Sequence, residues 1–311
     1  MAHPHRSAPL FGTLALSFLF SACATSPDPV RRASFSEFTP TTPVQPRTSV
    51  HPRAEEASAA SEDAAAAAQN PIASNIRLPL EASVYSRVGA EDDDAFVLNV
   101  QPVYPLSMGS WNAVNRLILP IMDLPSSSGG IPEVPGQTVG TNGQSGLGDI
   151  NFTTFFSPAD SKKVTWGIGP SISAPTASDD LLGSGKWSAG PSIVALTIAK
   201  PWLVGTLVRQ IWSFAGDGDR AEVNQMIIQP FANYNFPTGW YLHTSPIFSS
   251  NWNQGSGERW TVPLGGGVGK ILKRDGFNIN MNVQYYYNVE KPTLGSDWQL
   301  RFLLQFVFPK G

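Results

Sequence analysis

The stretch FNINMNVQYYYNV, residues 277–289, decides the fold, because apolar and polar side chains alternate along it with a period of two. One face carries Phe277, Ile279, Met281, Val283, Tyr285, Tyr287 and Val289. The other carries Asn278, Asn280, Asn282, Gln284, Tyr286 and Asn288. Such a strand places one face in hydrocarbon and the other in water, as the wall of a transmembrane barrel requires. A water-soluble β-sandwich also alternates, so other features must separate the two folds.

About twelve alternating stretches fill nearly all of the chain after residue 75. They cover residues 75–84, 95–105, 113–122, 147–157, 164–174, 186–198, 203–214, 223–236, 240–250, 259–271, 277–289 and 297–308. Every second connection is short, at 158–163, 199–201, 237–239 and 272–276, whereas the longest of the others covers 123–146. Short turns at one end and long loops at the other are typical of outer-membrane barrels. The sequence therefore predicts an all-β fold, a closed antiparallel transmembrane β-barrel of about 12 strands with both termini on the periplasmic side.

Tryptophan positions favour this barrel over the sandwich. Beside the short turns lie Trp111, Trp166, Trp202 and Trp240, and at the opposite strand ends lie Trp187, Trp212, Trp260 and Trp298. Because indole prefers the membrane interface, we expect two aromatic girdles. The last stretch, residues 298–308, is the kind of aromatic closing strand that the barrel-assembly machinery reads.

The first 23 residues resemble a bacterial export signal, with an apolar core at 10–20 that is too short to span a membrane. The four residues that end at Cys23 resemble a lipobox, which predicts lipidation of Cys23, and cleavage after Ala24 is the alternative. Residues 24–70 have low complexity and predict a mobile periplasmic tether, although its Ala-rich end was also compatible with a helix. The chain thus divides into an export signal (1–23), a tether (24–70) and the barrel (71–311).

Composition and spacing exclude several kinds of function. The net charge of -3 gives no reason to expect a nucleic-acid partner. Gly265–Lys270 lacks the Ser or Thr and the following helix of a phosphate-binding loop. The acidic stretches 91–94 and 216–219 are expected to be solvated, and His243 is the one barrel histidine, so we expect no metal and no cofactor.

Seven short motifs point to a known family. They are GLGDIN from Gly146, GSGKWSAGP from Gly183, WSFAGD from Trp212, VNQM from Val223, QPFANYN from Gln229, GERWTVPLGGGVGK from Gly257 and DWQLRF from Asp297. On these motifs the chain from Pro71 to Lys310 resembles the bacterial outer-membrane barrels labelled "MetA-pathway of phenol degradation" or simply "transporter". The resemblance implies the barrel fold and a transporter-like role, and the label itself derives from gene neighbourhood.

Strand parity assigns polar side chains to the lumen, since a charge that faces lipid at mid-membrane costs about 2–4 kcal/mol. The predicted lumen-lining residues are Arg77, Glu81, Asn99, Gln101, Asp149, Asn151, Arg209, Gln225, Gln229, Asn233, Arg259, Asn278, Asn280, Asn282, Gln284, Gln299, Arg301 and Gln305. Arg116 stays unassigned because its strand alternates poorly. This lining predicts either a narrow path for small polar or anionic solutes or an ion-paired, filled interior.

One pair of residues suggests an enzyme. His243 and Ser245 form a His-x-Ser pair on a strand, as in outer-membrane phospholipase A, with Asn251 and Asn253 as candidate orienting groups. In that enzyme the pair faces lipid, whereas parity places it on the inner face here. We therefore expect a non-enzymatic outer-membrane channel or transporter for small molecules, aromatic or anionic solutes being candidates. A lipid hydrolase and a closed structural barrel are the alternatives, and outer-membrane lipid and the assembly machinery are the expected partners.

Overall fold

The computed structural model describes residues 64–161 and 163–308 of the chain, and most of them form strands. The strands are β1 (Ile76–Val88), β2 (Asp93–Val100), β3 (Val103–Met108), β4 (Trp111–Leu124), β5 (Ser127–Gly129), β6 (Gln137–Val139), β7 (Gln144–Leu147), β8 (Ile150–Pro158), β9 (Val164–Ala174), β10 (Lys186–Ala199), β11 (Trp202–Gly216), β12 (Asn224–Asn235), β13 (Trp240–Thr244), β14 (Phe248–Asn251), β15 (Trp260–Arg274), β16 (Phe277–Glu290) and β17 (Trp298–Phe308). Among the described residues, no helix is both long and apolar enough to cross a membrane.

The sheet closes on itself because β1 pairs antiparallel with β17, from Ile76 opposite Phe308 to Ser86 opposite Trp298. Three barrel strands consist of two consecutive segments each, β2 with β3, β7 with β8, and β13 with β14, so the closed sheet has twelve strands. Closure leaves no strand edge unpaired, which is the condition for a β-sheet to cross lipid. The predicted all-β, antiparallel barrel is confirmed.

The wall of the barrel is apolar outside and polar inside along its clearest strand. On β16, Met281, Val283 and Tyr285 are exposed, whereas Asn282 and Gln284 are buried. Exposed apolar side chains continue around the outside on the other strands, including Ile193, Leu264 and Phe302. A band of this kind is suited to hydrocarbon, which agrees with a bacterial outer-membrane barrel.

The two ends of the barrel differ in the length of their connections, as the sequence predicted. Two-residue turns join β3 to β4 and β15 to β16, and left-handed glycines at Gly109 (φ 74) and Gly276 (φ 85) make these tight reversals possible. At this end Trp111 and Trp166 meet edge to face, with ring centroids 5.9 Å apart. The long loops lie at the other end, together with Trp187 and Trp212, which are exposed.

The longest loop, residues 125–143, folds over the extracellular mouth. Its β5–β6 hairpin is a separate two-stranded sheet. Beyond β5, Ile131 and Val134 are buried in an apolar cluster with barrel residues that include Val97 and Met122. Burial of these two side chains holds the loop inward and narrows the mouth.

Residues 64–73, here called the plug segment, pack inside the opposite end of the barrel. Residues 64–69 are helical, so the end of the predicted tether takes the helical alternative, and residues 24–63 lie outside the described part of the chain. Ala65 and Ala68 are buried with Tyr241, Ile271 and Val307. Further along, Ile72 is buried in a second apolar cluster formed by the inner faces of β8, β10, β11 and β12 with β3 and β4.

Candidate functional site

The space inside the barrel consists of two adjoining cavities. The lower cavity, beside the plug segment, has a volume of about 160 Å³, and the upper cavity, below loop 125–143, has a volume of about 100 Å³. Both are lined by the same five residues where they meet: Glu81, Gln101, Arg116, Leu207 and Gln229. These shared residues mark the place where the two cavities adjoin.

Arg301 is the most buried charged side chain of the lumen, with 1% of its side chain exposed. Its Nε lies 3.9 Å from Glu81 Oε1, and its guanidinium centre lies 5.3 Å from the centroid of the Tyr286 ring. Nη1 donates to the Ser245 carbonyl oxygen at 3.0 Å, and Nη2 donates to Gln299 Oε1 at 3.2 Å. The charge is therefore held by fixed partners from four positions around the lower cavity.

The amide and phenol groups of β16, together with Tyr241 of β13, form a continuous hydrogen-bonded chain beside Arg301. Tyr241 Oη donates to Asn280 Oδ1 at 2.6 Å and accepts from Asn282 Nδ2 at 3.1 Å. Gln284 Nε2 donates to Asn282 Oδ1 at 2.7 Å, and Tyr286 Oη donates to Gln284 Oε1. Because every other residue of β16 faces inward, this chain follows from the alternation of the strand.

Two more arginines line the upper part of the path. Arg116, which parity left unassigned, lines both cavities, and its Nε donates to Gln101 Oε1 at 3.2 Å. Arg209 lines the upper cavity, and its Nη2 donates to Gln225 Oε1 at 3.0 Å. Neither guanidinium is hydrogen-bonded to a carboxylate, and Glu81 and Glu133 line the same cavity.

Glu133, which sequence reasoning missed, enters the lumen from loop 125–143. It lines the upper cavity, and Asn99 Nδ2 donates to its Oε1 at 2.6 Å. Gln225 Nε2 donates to the neighbouring Pro132 carbonyl at 3.1 Å. Strand parity cannot assign a loop residue, so no local signal marked Glu133 as a lumen group.

The plug segment is fixed by hydrogen bonds from the barrel wall. Gln305 Nε2 donates to the Ala68 carbonyl at 2.8 Å, and Asn235 and Gln69 exchange two amide hydrogen bonds, at 2.8 and 3.1 Å. Buried Arg77 donates to the carbonyls of Asn70 and Pro71. Arg77 therefore anchors the closed periplasmic mouth in addition to lining the lower cavity.

Asp149 lines the upper cavity, but its carboxylate is occupied by local donors. Oδ1 accepts from the backbone amides of Thr176 and Ala177, both at 3.1 Å. Oδ2 accepts from the backbone amide of Ser184 at 2.7 Å and from its hydroxyl at 2.8 Å. Asp149 thus fixes the loop that joins β9 to β10, and four hydrogen bonds engage its carboxylate there.

The remaining predicted lumen residues divide into two groups. Asn151 and Asn233 are buried on the inner face and line the upper and the lower cavity respectively. Asn278 is half-buried near the turn before β16 and lines neither cavity. Arg259 lies in the loop before β15, where it stacks over Trp252 at 5.4 Å. Parity failed for Arg259 because the strand begins one residue later, at Trp260.

The His243–Ser245 pair lacks the geometry of a hydrolase. His243 Nδ1 is hydrogen-bonded to Asn233 Oδ1, and Ser245 Oγ accepts from Gln229 Nε2 at 2.9 Å. The candidate orienting residue Asn253 donates instead to the Glu222 carbonyl in the extracellular loops, and Asn251 accepts from the Asn253 amide. A nucleophile needs a hydrogen bond to its base, and this pair does not have one.

Metal and phosphate chemistry receive no support from the described residues. In residues 64–161 and 163–308, no group of three or more His, Cys, Asp or Glu side chains could hold a metal ion. The glycines of Gly265–Lys270 lie within β15 and allow close contact with β16, since a Cβ at Gly265 would lie 2.0 Å from the Tyr285 carbonyl oxygen. Cys23 lies outside the described residues, so its lipidation stays a prediction.

Comparison with solved structures places the chain among outer-membrane barrels. An outer membrane channel from Pseudomonas putida F1 matches with a TM-score of 0.53 and 15% identity, covering 75% of this chain and 95% of that one. The NanC porin matches at 0.47 and 9% identity (76% and 100% covered), and the CymD monoaromatic hydrocarbon channel at 0.41 and 11% (79% and 93% covered). No protein-family profile and no curated protein matches the chain. The likeness to the first structure supports the fold of a twelve-stranded outer-membrane barrel.

Proposed function

We propose that this protein is an outer-membrane channel for small polar or amphipathic solutes, with a preference for anions. The observation that carries the proposal is that two adjoining cavities lie inside the barrel and share five lining residues, among them Arg116 and Gln229. A barrel with a purely structural role has no need of arginines and amides around internal cavities, because apolar side chains fill an interior at lower cost.

The charges along this path support anion preference. Four arginines line the cavities, namely Arg77, Arg116, Arg209 and Arg301, and the carboxylates are Glu81, Glu133 and Asp149. Arg77 is engaged by the plug segment, and Asp149 is saturated by local donors. The charges that remain are three arginines and two carboxylates, so the lining keeps a net positive charge, as in pores that select anions.

The structure also supports a closed resting state. If that state is permanent, the protein is a closed structural barrel, which is the second candidate function. The plug segment fills the periplasmic mouth and loop 125–143 narrows the extracellular mouth. A permanently closed barrel and a gated channel share this geometry and differ in whether the plug segment leaves. We also propose that the protein acts in the phenol-degradation pathway named in the label of the MetA family. This part of the proposal rests on the motif resemblance alone.

Planar-bilayer recordings test the anion preference. In a potassium chloride gradient, the wild type should give a reversal potential that indicates chloride selectivity, and Arg116→Gln with Arg209→Gln should shift it towards potassium. Arg274→Gln is the matched control, because Arg274 is exposed at the turn after β15. Higher salt should weaken the preference, since the Debye length falls from about 10 Å at 0.1 M to about 3 Å at 1 M. Cation selectivity in the wild type would overturn the proposal, and absence of conductance even after removal of the plug segment would favour the permanently closed barrel.

A further inference from the structure

Charged groups of both signs line the upper cavity without pairing to one another. Arg116, Arg209 and Glu133 all line this cavity, and each of the three is half-buried. In the part of the chain that the structure describes, no ion pair joins any of them to an opposite charge. Charges that are taken out of water are normally paired, because an unpaired charge is costly there. The cavity therefore offers both signs of charge to a solute.

The two arginines use only part of their hydrogen-bonding capacity. Arg116 gives Nε and Nη2 to one acceptor, Gln101 Oε1, and Arg209 gives Nη2 to Gln225 Oε1. Arg209 Nε is buried and has no hydrogen-bond partner among the described residues. A guanidinium carries five N–H donors and can hold a carboxylate by two parallel hydrogen bonds. The donors that remain on Arg116 and Arg209 therefore suit a carboxylate.

The acceptors that remain belong to Glu133 and Asn99. Asn99 Nδ2 donates to Glu133 Oε1, so this bond leaves the amide oxygen of Asn99 and the second carboxylate oxygen of Glu133 unused. Both oxygens are buried without a hydrogen-bond partner among residues 64–161 and 163–308, and Asn99 is only 3% exposed. Buried acceptors normally have a donor, because leaving one unsatisfied is costly. A primary ammonium group has three donors and a positive charge, so it suits both oxygens.

The upper cavity also has room for a small solute and an apolar part of its wall. Its volume of about 100 Å³ is several times the roughly 10–15 Å³ that a single water molecule needs. Phe155, Ile211 and Ile227 line the cavity together with the charged groups. A small molecule can therefore place an apolar side chain against these residues while its charged groups meet the polar ones.

We propose that the upper cavity binds a small zwitterionic amino acid, whose carboxylate contacts Arg116 and Arg209 and whose ammonium group contacts Glu133 and Asn99. The proposal rests on the proposed channel function and names the class of solute that the channel selects. A simple anion would use the arginines and leave Glu133 without a partner, and a simple cation would do the reverse. A solute that carries both charges satisfies all of these groups together.

Four solutes of nearly equal size test this inference. Alanine is the zwitterion, lactate has a hydroxyl in place of the ammonium group, alaninamide has an uncharged amide in place of the carboxylate, and lactamide has both replacements. Isothermal titration calorimetry of the purified, folded barrel measures the binding of each solute. Alanine should bind at least about tenfold more tightly than lactate or alaninamide, because each of these lacks one charged group, and lactamide should bind most weakly.

Two variants should give a crossed result that general damage to the fold would not produce. Glu133→Gln should remove the advantage of alanine over lactate and keep its advantage over alaninamide. Arg209→Gln should remove the advantage over alaninamide and keep the advantage over lactate. Glu290→Gln and Arg274→Gln are the matched controls, because both residues are exposed at strand ends and line neither cavity. Heat-modifiable gel mobility shows that each variant folds.

Planar-bilayer conductance of the same proteins separates the amino-acid site from the channel. A conducting wild type that binds none of the four solutes, or that binds lactate as tightly as alanine, would refute the site and leave the channel. An equal loss of alanine, lactate and alaninamide binding in both variants would also refute the site. The crossed result in a protein that never conducts would support the site and refute the channel. A wild type that neither conducts nor binds alanine would refute both.

Discussion

Replacement of Arg301 by Met tests whether the buried charge network stabilises the barrel. The guanidinium lies 3.9 Å from the Glu81 carboxylate and donates hydrogen bonds to Ser245 and Gln299. At this separation and an effective dielectric constant of about 20, the attraction amounts to about 4 kcal/mol, and each charged hydrogen bond contributes about 1.5–3 kcal/mol. Desolvation of Arg301 opposes these terms, so we expect a net loss of about 3–5 kcal/mol in the free energy of unfolding.

A double-mutant cycle isolates the ion pair from the hydrogen bonds. Glu81→Gln should cost less than Arg301→Met, because Glu81 retains an exposed fraction of 18%. The double variant should be more stable than the sum predicts, with a coupling energy of about 1–3 kcal/mol. Arg301→Lys keeps the positive charge and loses the planar set of guanidinium donors. Its loss of stability therefore measures the contribution of the hydrogen bonds.

Urea unfolding in phospholipid vesicles, followed by tryptophan fluorescence, measures the stability of the wild type and of all four variants. The chain has nine Trp residues, which gives the signal. A coupling energy below about 0.5 kcal/mol would contradict the reasoning, because it would show that the two charges do not interact across the lumen. A variant Arg301→Met as stable as the wild type would show that desolvation cancels every favourable contact.

The other predictions concern location, lipidation, gating and pH. The protein should co-fractionate with outer membrane and migrate faster on gels without heating, and recovery as a soluble periplasmic protein would refute the barrel's location. A palmitate analogue should label the protein and Cys23→Ser should remove the label, whereas a mature chain that begins at Thr25 would show ordinary cleavage. Deletion of residues 64–70 should raise conductance, while a deletion of equal length within 24–63 should not, and equal conductance in both would show that the plug segment is no barrier. A hydrogen bond from Lys291, with the charges of Lys291 and Arg87, holds the pKa of Asp297 below its ordinary value. The ionised Asp297 therefore stabilises its loop above the ordinary pKa, and this stabilisation is lost as pH falls through the lowered pKa. Proteolysis of the loop should accordingly rise in acid, and Asp297→Asn should remove that pH dependence.

Part of the candidate site followed from local sequence. Alternation along a strand depends only on the geometry of the extended chain, so Asn280, Asn282 and Gln284 were assigned to the inner face before their contacts were known. Where both faces of a strand are apolar, the alternation of residues does not show which face points into the barrel. The strand β10 illustrates this, because Val194 and Leu196 are buried inside while Ile193, on the other face, is exposed outside.

Positions near strand ends and in loops were the ones that sequence could not assign. Arg259 has the parity of a lumen residue but lies one residue before its strand begins. Glu133 has no parity, since it belongs to a loop whose path depends on the burial of Ile131 and Val134 at the barrel mouth. Both depend on contacts between segments that are distant in sequence.

The sequence by itself determined the class of fold and the number of barrel strands, because periodicity and turn length are local properties. Only the tertiary structure decided that residues 64–73 enter the barrel, since the bond from Gln305 to Ala68 joins residues 237 positions apart. It also decided how the backbone of Ser245 is satisfied, since Tyr286 and Arg301, which come later in the chain, hydrogen-bond to it from inside the closed barrel.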